Sequence, residues 1–136
     1  MTTEHNLEEI TELSQHLGRL IDGEVKFDQV TRMIYSTDAS IYQIEPLGVV
    51  IPRSVEDVIA TIETAINFNV PVLPRGGGTS LAGQTIGRSI VIDFSKYLNN
   101  VIEINQEEKW ARVQPGIILD ELNHQIRDLN LSLIHI

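Results

Sequence analysis

Residues 74–84 read Pro-Arg-Gly-Gly-Gly-Thr-Ser-Leu-Ala-Gly-Gln. Their types and spacing suit one piece of chemistry, the holding of an anion by backbone amides. Gly76, Gly77 and Gly78 carry no Cβ, so a turn there can adopt positive φ and let a ligand come against the main chain. Successive N–H groups aimed into one concavity make an anion site. Thr79 and Ser80 add hydroxyl donors and Arg75 adds a fixed positive charge. A phosphate or pyrophosphate is the anion this set fits best.

Other readings of the loop compete. A bare Gly-Gly-Gly could simply turn the chain, but Arg75, the Thr79-Ser80 pair and the Gly83-Gln84 pair are more than a turn needs. Gly78–Thr85 matches the nucleoside-triphosphate loop G-x-x-x-x-G-K-[ST] except that Gln84 stands where lysine is required. A neutral amide does not replace that charge. Residues 85–89 also read as a loop entering a strand, where a phosphate loop of that type opens a helix. The dinucleotide spacing G-x-G-x-x-G fails at Leu81. A non-catalytic phosphate- or nucleotide-binding module, complete at 136 residues, stays open as the alternative function.

The elements that must position this loop are legible in outline. Leu7, Ile10, Leu13, Leu17 and Ile21 form one stripe of a helix over 4–21, ended by Gly23. Residues 28–35 suit a short helix, and 37–40 a turn or cap. The apolar run 47–51 suggests a short buried strand. Ser54 to Asp57 has the form of a capping box, with Asp57 reaching back. Val55, Val58, Ile59, Ile62 and Ile66 then mark the apolar face of a helix running to about Asn69. A strand over 70–73 leads into the glycine loop, so strand, helix and strand make a βαβ unit with a right-handed crossover. Residues 89–94 suit a strand buried on both faces. Residues 101–105 and 110–113 read as a hairpin with one wet face, and Leu119, Leu122 and Ile126 as a last helix. The fold class is α+β, with helices packed on a mixed sheet.

Composition bounds the function. Ten basic against nineteen acidic residues give a net charge of −9. That balance argues against nucleic acid or an anionic membrane surface as the main partner. With no cysteine, disulfides, thiolate metal sites and iron–sulfur clusters are excluded within these residues. His5, His16, His124 and His135 are scattered without metal-like spacing, so no metal ligand is assigned. The N-terminus lacks the charge pattern of a secretory signal. No apolar run approaches the ~20 residues needed to span a bilayer. The expected location is cytoplasmic, with a peripheral place at the inner face of the membrane as a variant for a longer parent protein.

Several stretches in order resemble one family. The run Pro71 to Gln84 resembles the pyrophosphate loop of FAD-linked oxidases of the vanillyl-alcohol oxidase/p-cresol methylhydroxylase type. It is more narrowly similar to their D-lactate and glycolate dehydrogenase branch. Val49 to Val58 resembles the family's first strand and helix cap, and Ile90 to Lys96 its strand after the loop. Val113-Gln114-Pro115-Gly116 is similar to its next turn, and Tyr35 to Ser40 to its entry segment. The resemblance covers roughly residues 30–130.

This resemblance implies the first subdomain of a p-cresol-methylhydroxylase-type FAD-binding domain. Residues 1–42 would be a helical lead-in and 43–130 the N-terminal part of that domain. It implies a cofactor site at Arg75, Gly76, Gly77, Gly78, Thr79, Ser80, Gly83 and Gln84, with the amides of 76–80 on the FAD pyrophosphate and the Thr79 and Ser80 hydroxyls assisting. Arg75 either offsets phosphate charge or pairs with an acid and holds the loop. Thr79 stands where some members carry a flavin-linked histidine, which implies non-covalent FAD. The parent would be a flavin-dependent oxidoreductase acting on a small 2-hydroxy acid. Any iron–sulfur cluster would belong to a missing C-terminal region. No residue here is assigned a catalytic role, and the fragment alone is expected to be inactive. Residues 131–136 do not resemble the family's continuation and are expected to be a foreign tail on a truncated reading frame.

Overall fold

The computed structural model describes residues 6–129. The tail over 131–136, His5 and His135 lie outside the described residues. The chain runs α1 (Leu7–Leu20), β1 (Glu24–Lys26), α2 (Gln29–Ile34), β2 (Gly48–Ile51), α3 (Val55–Asn67), β3 (Val72–Arg75), β4 (Ile90–Asp93), β5 (Val101–Asn105), β6 (Trp110–Val113) and α4 (Leu119–Ile126), with a short 3-10 turn at Arg127–Leu129. None of the described helices is long and apolar enough to cross a membrane.

Four strands form one mixed sheet in the order β1-β2-β4-β3. β4 is parallel to both β2 and β3, and β1 runs antiparallel to β2. The strands joined by α3 are therefore not neighbours, because β4 lies between them. Every residue of β2 and of β4 is buried, as the unbroken apolar runs require of strands covered on both faces. Alternation sends Val50 and Ile90 toward Leu13, Leu17, Ala65 and Val70. Val49, Ile51 and Val91 point the other way, toward Tyr35, Leu73 and Tyr97. Leu13 and Leu17 are almost wholly buried, each stabilising the fold by about 1.5–3 kcal/mol. The lead-in is thus built into the sheet and its cover, through β1 and α1.

The helix ends explain small departures from the periodicity. Asn6, not an earlier residue, caps α1, exchanging hydrogen bonds with Glu9 in a full capping box. Gly23 does not end the helix, since Ile21 is already extended. A Cβ at Gly23 would stand 2.5 Å from the Ile51 carbonyl oxygen, so this glycine admits β2. Ser54 caps α3 by accepting from the Asp57 N–H. Asp57 does not reach back to Ser54; its buried carboxylate accepts from the N–H groups of Arg53 and Asp22, tying α3 to the turn before β1. At the other end, Asn69 takes φ 53°. Val70 N–H bonds Ala65 O and Asn69 N–H bonds Ile66 O, which is a Schellman closure. Val70 is therefore part of the helix stop, and β3 begins two residues later than expected.

The buried face of α3 differs from the expectation. Asp57, Thr61, Thr64 and Ala65 face inward, while Val55, Ile59, Ile62 and Ile66 are exposed. Small side chains let α3 lie close against α1, and Thr61 returns its hydroxyl to the Asp57 carbonyl. The polar inner face is thus satisfied at short range, and the apolar stripe points outward.

Candidate functional site

The loop leaves the C-terminal end of β3 and returns to β4 without forming a helix between residues 76 and 89. Parallel neighbours need a long connection, and here the glycine loop is that connection. No helix opens after Gln84, unlike the triphosphate-loop alternative.

Among the described residues, the amides of Gly76, Gly77, Gly78, Thr79 and Ser80 donate to no protein acceptor. An added Cβ would meet only Pro115 O at 3.7 Å at Gly76, and only the Thr79 methyl at 3.7 Å at Gly77. These two glycines therefore border open space. Gly78 has φ 67° and Gly83 φ 73°, the left-handed region in which glycine is the comfortable choice. A run of unpaired amides around positive-φ turns is the backbone form of an anion cradle. FAD fits this donor set through its pyrophosphate.

Arg75 does not project into that space. Its guanidinium lies 5.1 Å from the centre of the Tyr35 ring. It donates toward the carbonyl oxygens of Tyr35 at 3.4 Å and Thr85 at 3.3 Å. A Cβ on Gly78 would strike it at 2.5 Å, so the positive-φ glycine and the arginine occupy one another's margin. Its contacts are therefore two carbonyls and a ring, with no paired acid among them. Beneath it the Tyr35 hydroxyl donates to Asp93 Oδ2 at 2.5 Å. Burial first, and then that bond, push the Tyr35 phenol up from its ordinary value, so it remains a donor.

The Ser80 hydroxyl is used inside the loop. It accepts from the N–H groups of Ala82 and Gln84 and donates to Gln84 Oε1. Gly83 and Gln84 accordingly form the point where the loop turns back. Thr79 is exposed beside the free amides.

Sequence reasoning missed the segment that braces the loop from outside. Asp38 accepts from Thr85 Oγ1 at 3.0 Å, from Thr85 N–H at 3.4 Å and from Ser40 N–H at 2.9 Å. Bonds from Ser40 first, and then from Thr85, lower its carboxyl to about 2. Ala39 N–H donates to Gly78 O at 3.1 Å, and the Tyr42 ring stands 3.0 Å from where a Gly83 Cβ would be. The motif Tyr35 to Ser40 carried a signal, but its partners lie some forty or more residues away. His16 and His124 sit on separate helices, α1 and α4. No group of three metal-ligating side chains occurs among the described residues.

A mixed sheet whose edge strand β3 is joined to its parallel neighbour β4 by a glycine-rich loop, with helices packed on it, defines a mixed α/β unit. Residues 46–135 match the family described as FAD binding domain, and the chain belongs to that family. D-2-hydroxyglutarate dehydrogenase of Pseudomonas putida is 43% identical over 108 residues, covering 77% of this chain and 11% of that protein. The mitochondrial D-lactate dehydrogenase (cytochrome) of Kluyveromyces lactis is 39% identical over 90 residues, covering 63% of this chain and 16% of that one. Substrate-bound p-cresol methylhydroxylase shares the fold, with a TM-score of 0.79 at 20% identity, over 93% of this chain and 26% of that chain. The chain therefore spans a small part of each relative's length.

Proposed function

We propose that this chain supplies the pyrophosphate-binding part of a non-covalent FAD site in a flavin-dependent dehydrogenase or oxidase of 2-hydroxy acids. The observation that carries this is the row of undonated amides at Gly76, Gly77, Gly78, Thr79 and Ser80, with open space beside Gly76 and Gly77. Their partial positive charges would meet the two phosphates, while Arg75 keeps the loop in shape from behind. Thr79 would add a hydroxyl donor at the rim. Bound FAD would supply two-electron oxidation at the substrate α-carbon. The relatives that are D-2-hydroxyglutarate and D-lactate dehydrogenases support a 2-hydroxy acid as the substrate class. No residue here is assigned to the substrate, so a longer parent would carry the catalytic groups.

The test is an NMR titration of the 15N-labelled chain with FAD, with inorganic pyrophosphate and with MgATP. FAD and pyrophosphate should move the amides of residues 76–80, weakly, because much of the cofactor's enclosure lies elsewhere in proteins of this family. Gly77→Asp should abolish those shifts while leaving the spectrum of the sheet intact. A response to MgATP with none to FAD would replace this reading with the nucleotide-binding module. A protein extended to the length of the relatives should purify yellow, and should lose the colour with Gly77→Asp.

A further inference from the structure

We propose that Asp38 is the positioning residue of the anion loop, clamping Thr85 at the loop's far arm while its neighbour Ala39 clamps Gly78 at the near one. The inference rests on the FAD reading for its ligand, but not for its geometry. The loop has two arms. One follows β3, where the chain reaches Gly78; the other precedes β4, at Thr85. Both are caught by two consecutive residues of one short segment. Asp38 takes the Thr85 hydroxyl and N–H, and Ala39 N–H takes the Gly78 carbonyl. Ser40 N–H holds the other Asp38 oxygen, so the carboxylate is itself aimed. The segment is anchored from behind by Tyr35, whose hydroxyl bonds Asp93 at the end of β4.

The consequence is preorganisation. Free amides are costly to align at the moment of binding, and a ligand gains affinity when the alignment already exists. Side-chain rescue inside the loop is limited to the Ser80–Gln84 turn. Between Gly76 and Thr79 no hydrogen bond within the loop fixes the backbone. Ala39 N–H does so from outside, at Gly78 O, while Asp38 holds Thr85, whose carbonyl Arg75 also bonds. The hydrogen-bond partners of Asp38 are Thr85 and Ser40, neither of them among the amides of residues 76–80. Its carboxyl stays ionised at any working pH because the bonds from Ser40 and Thr85 favour the charged form.

The experiment uses the 15N-labelled full chain as native, Asp38→Asn, Thr85→Val, Thr85→Ser and the Asp38→Asn/Thr85→Val double variant. Three quantities are read: backbone order parameters over 76–85 without ligand, the Kd for inorganic pyrophosphate, and the thermal midpoint. The native loop should be as ordered as the sheet, at about 0.85, and Asp38→Asn should drop it toward about 0.6. The pyrophosphate Kd should rise at least about fivefold in Asp38→Asn and in Thr85→Val. Thr85→Ser should keep native values, and the double variant should lose no more than either single one, as two ends of one contact must. Unchanged loop order in Asp38→Asn overturns the proposal. So does a thermal midpoint and sheet order that fall in step with the loop, which would make Asp38 an ordinary structural residue. If the native chain ignores FAD and pyrophosphate while Asp38→Asn still loosens the loop, the FAD reading fails and the clamp stands. If the native chain binds and Asp38→Asn binds equally well, the clamp fails alone.

Discussion

Glycines at two places in this molecule do opposite work. At Gly116 an added Cβ would sit 2.1 Å from the Phe94 carbonyl oxygen and 2.5 Å from its carbon. At Gly48 it would fall 2.4 Å from the Phe27 ring. These glycines face inward and exist because another part of the protein comes too close. Gly76 and Gly77 have nothing nearer than 3.7 Å, so no part of the described fold asks for them. The difference separates glycines required by close packing from glycines that packing does not require.

The sharpest way to break this comparison is Gly116→Ala. Backbone carbonyls cannot swing aside, so stability should fall by about 3 kcal/mol, read from the urea midpoint. Gly48→Ala should cost about 2 kcal/mol, less because a ring can shift, and adding Phe27→Leu should recover part of it. Gly77→Ala should change stability by less than about 0.5 kcal/mol while weakening pyrophosphate binding. If Gly77→Ala unfolds the chain as Gly116→Ala does, the distinction is lost.

Acid divides the same two regions. Glu24 on β1 is held by Lys96, Lys26 and Tyr97, which lower its carboxyl to about 2 from the ordinary 4.5. Asp38 is lowered to about 2 as well, by Ser40 and Thr85. Both folded values lie below the ordinary ones, so each carboxylate contributes above about pH 4.5 and 3.8 respectively, and loses that contribution as pH falls toward 2. Glu24→Gln should therefore flatten the acid limb of global stability. Asp38→Asn should flatten only the acid loosening of the loop, the smallest effect of the set, seen in amide order over residues 76–85.

What could be read in the sequence follows from the range of each interaction. The strands 48–51 and 90–93, the hairpin and α4 were legible because their signals are local runs and alternations. The inward face of α3 was not, since its apolar residues point outward and its packing rests on Thr61, Thr64 and a carboxylate bonded to Asp22 across the fold. The glycine loop itself was plain from composition. Its bracing was hidden, because Tyr35, Asp38 and Ala39 reach it across long stretches of chain. The partners of Arg75 were hidden for the same reason, since the Tyr35 and Thr85 carbonyls come from distant stretches of chain.

The position of β4 governs how the molecule can be assembled. It is the last strand of its sheet in sequence, yet it lies between β2 and β3 and bonds both. Until residue 93 has been made, β2 and β3 have no partner between them, and the anion loop has no second arm. Sheet closure therefore waits on β4, which also carries the loop's return. A chain released before that point would expose two apolar strand edges at once, the condition under which strands pair with the wrong molecule.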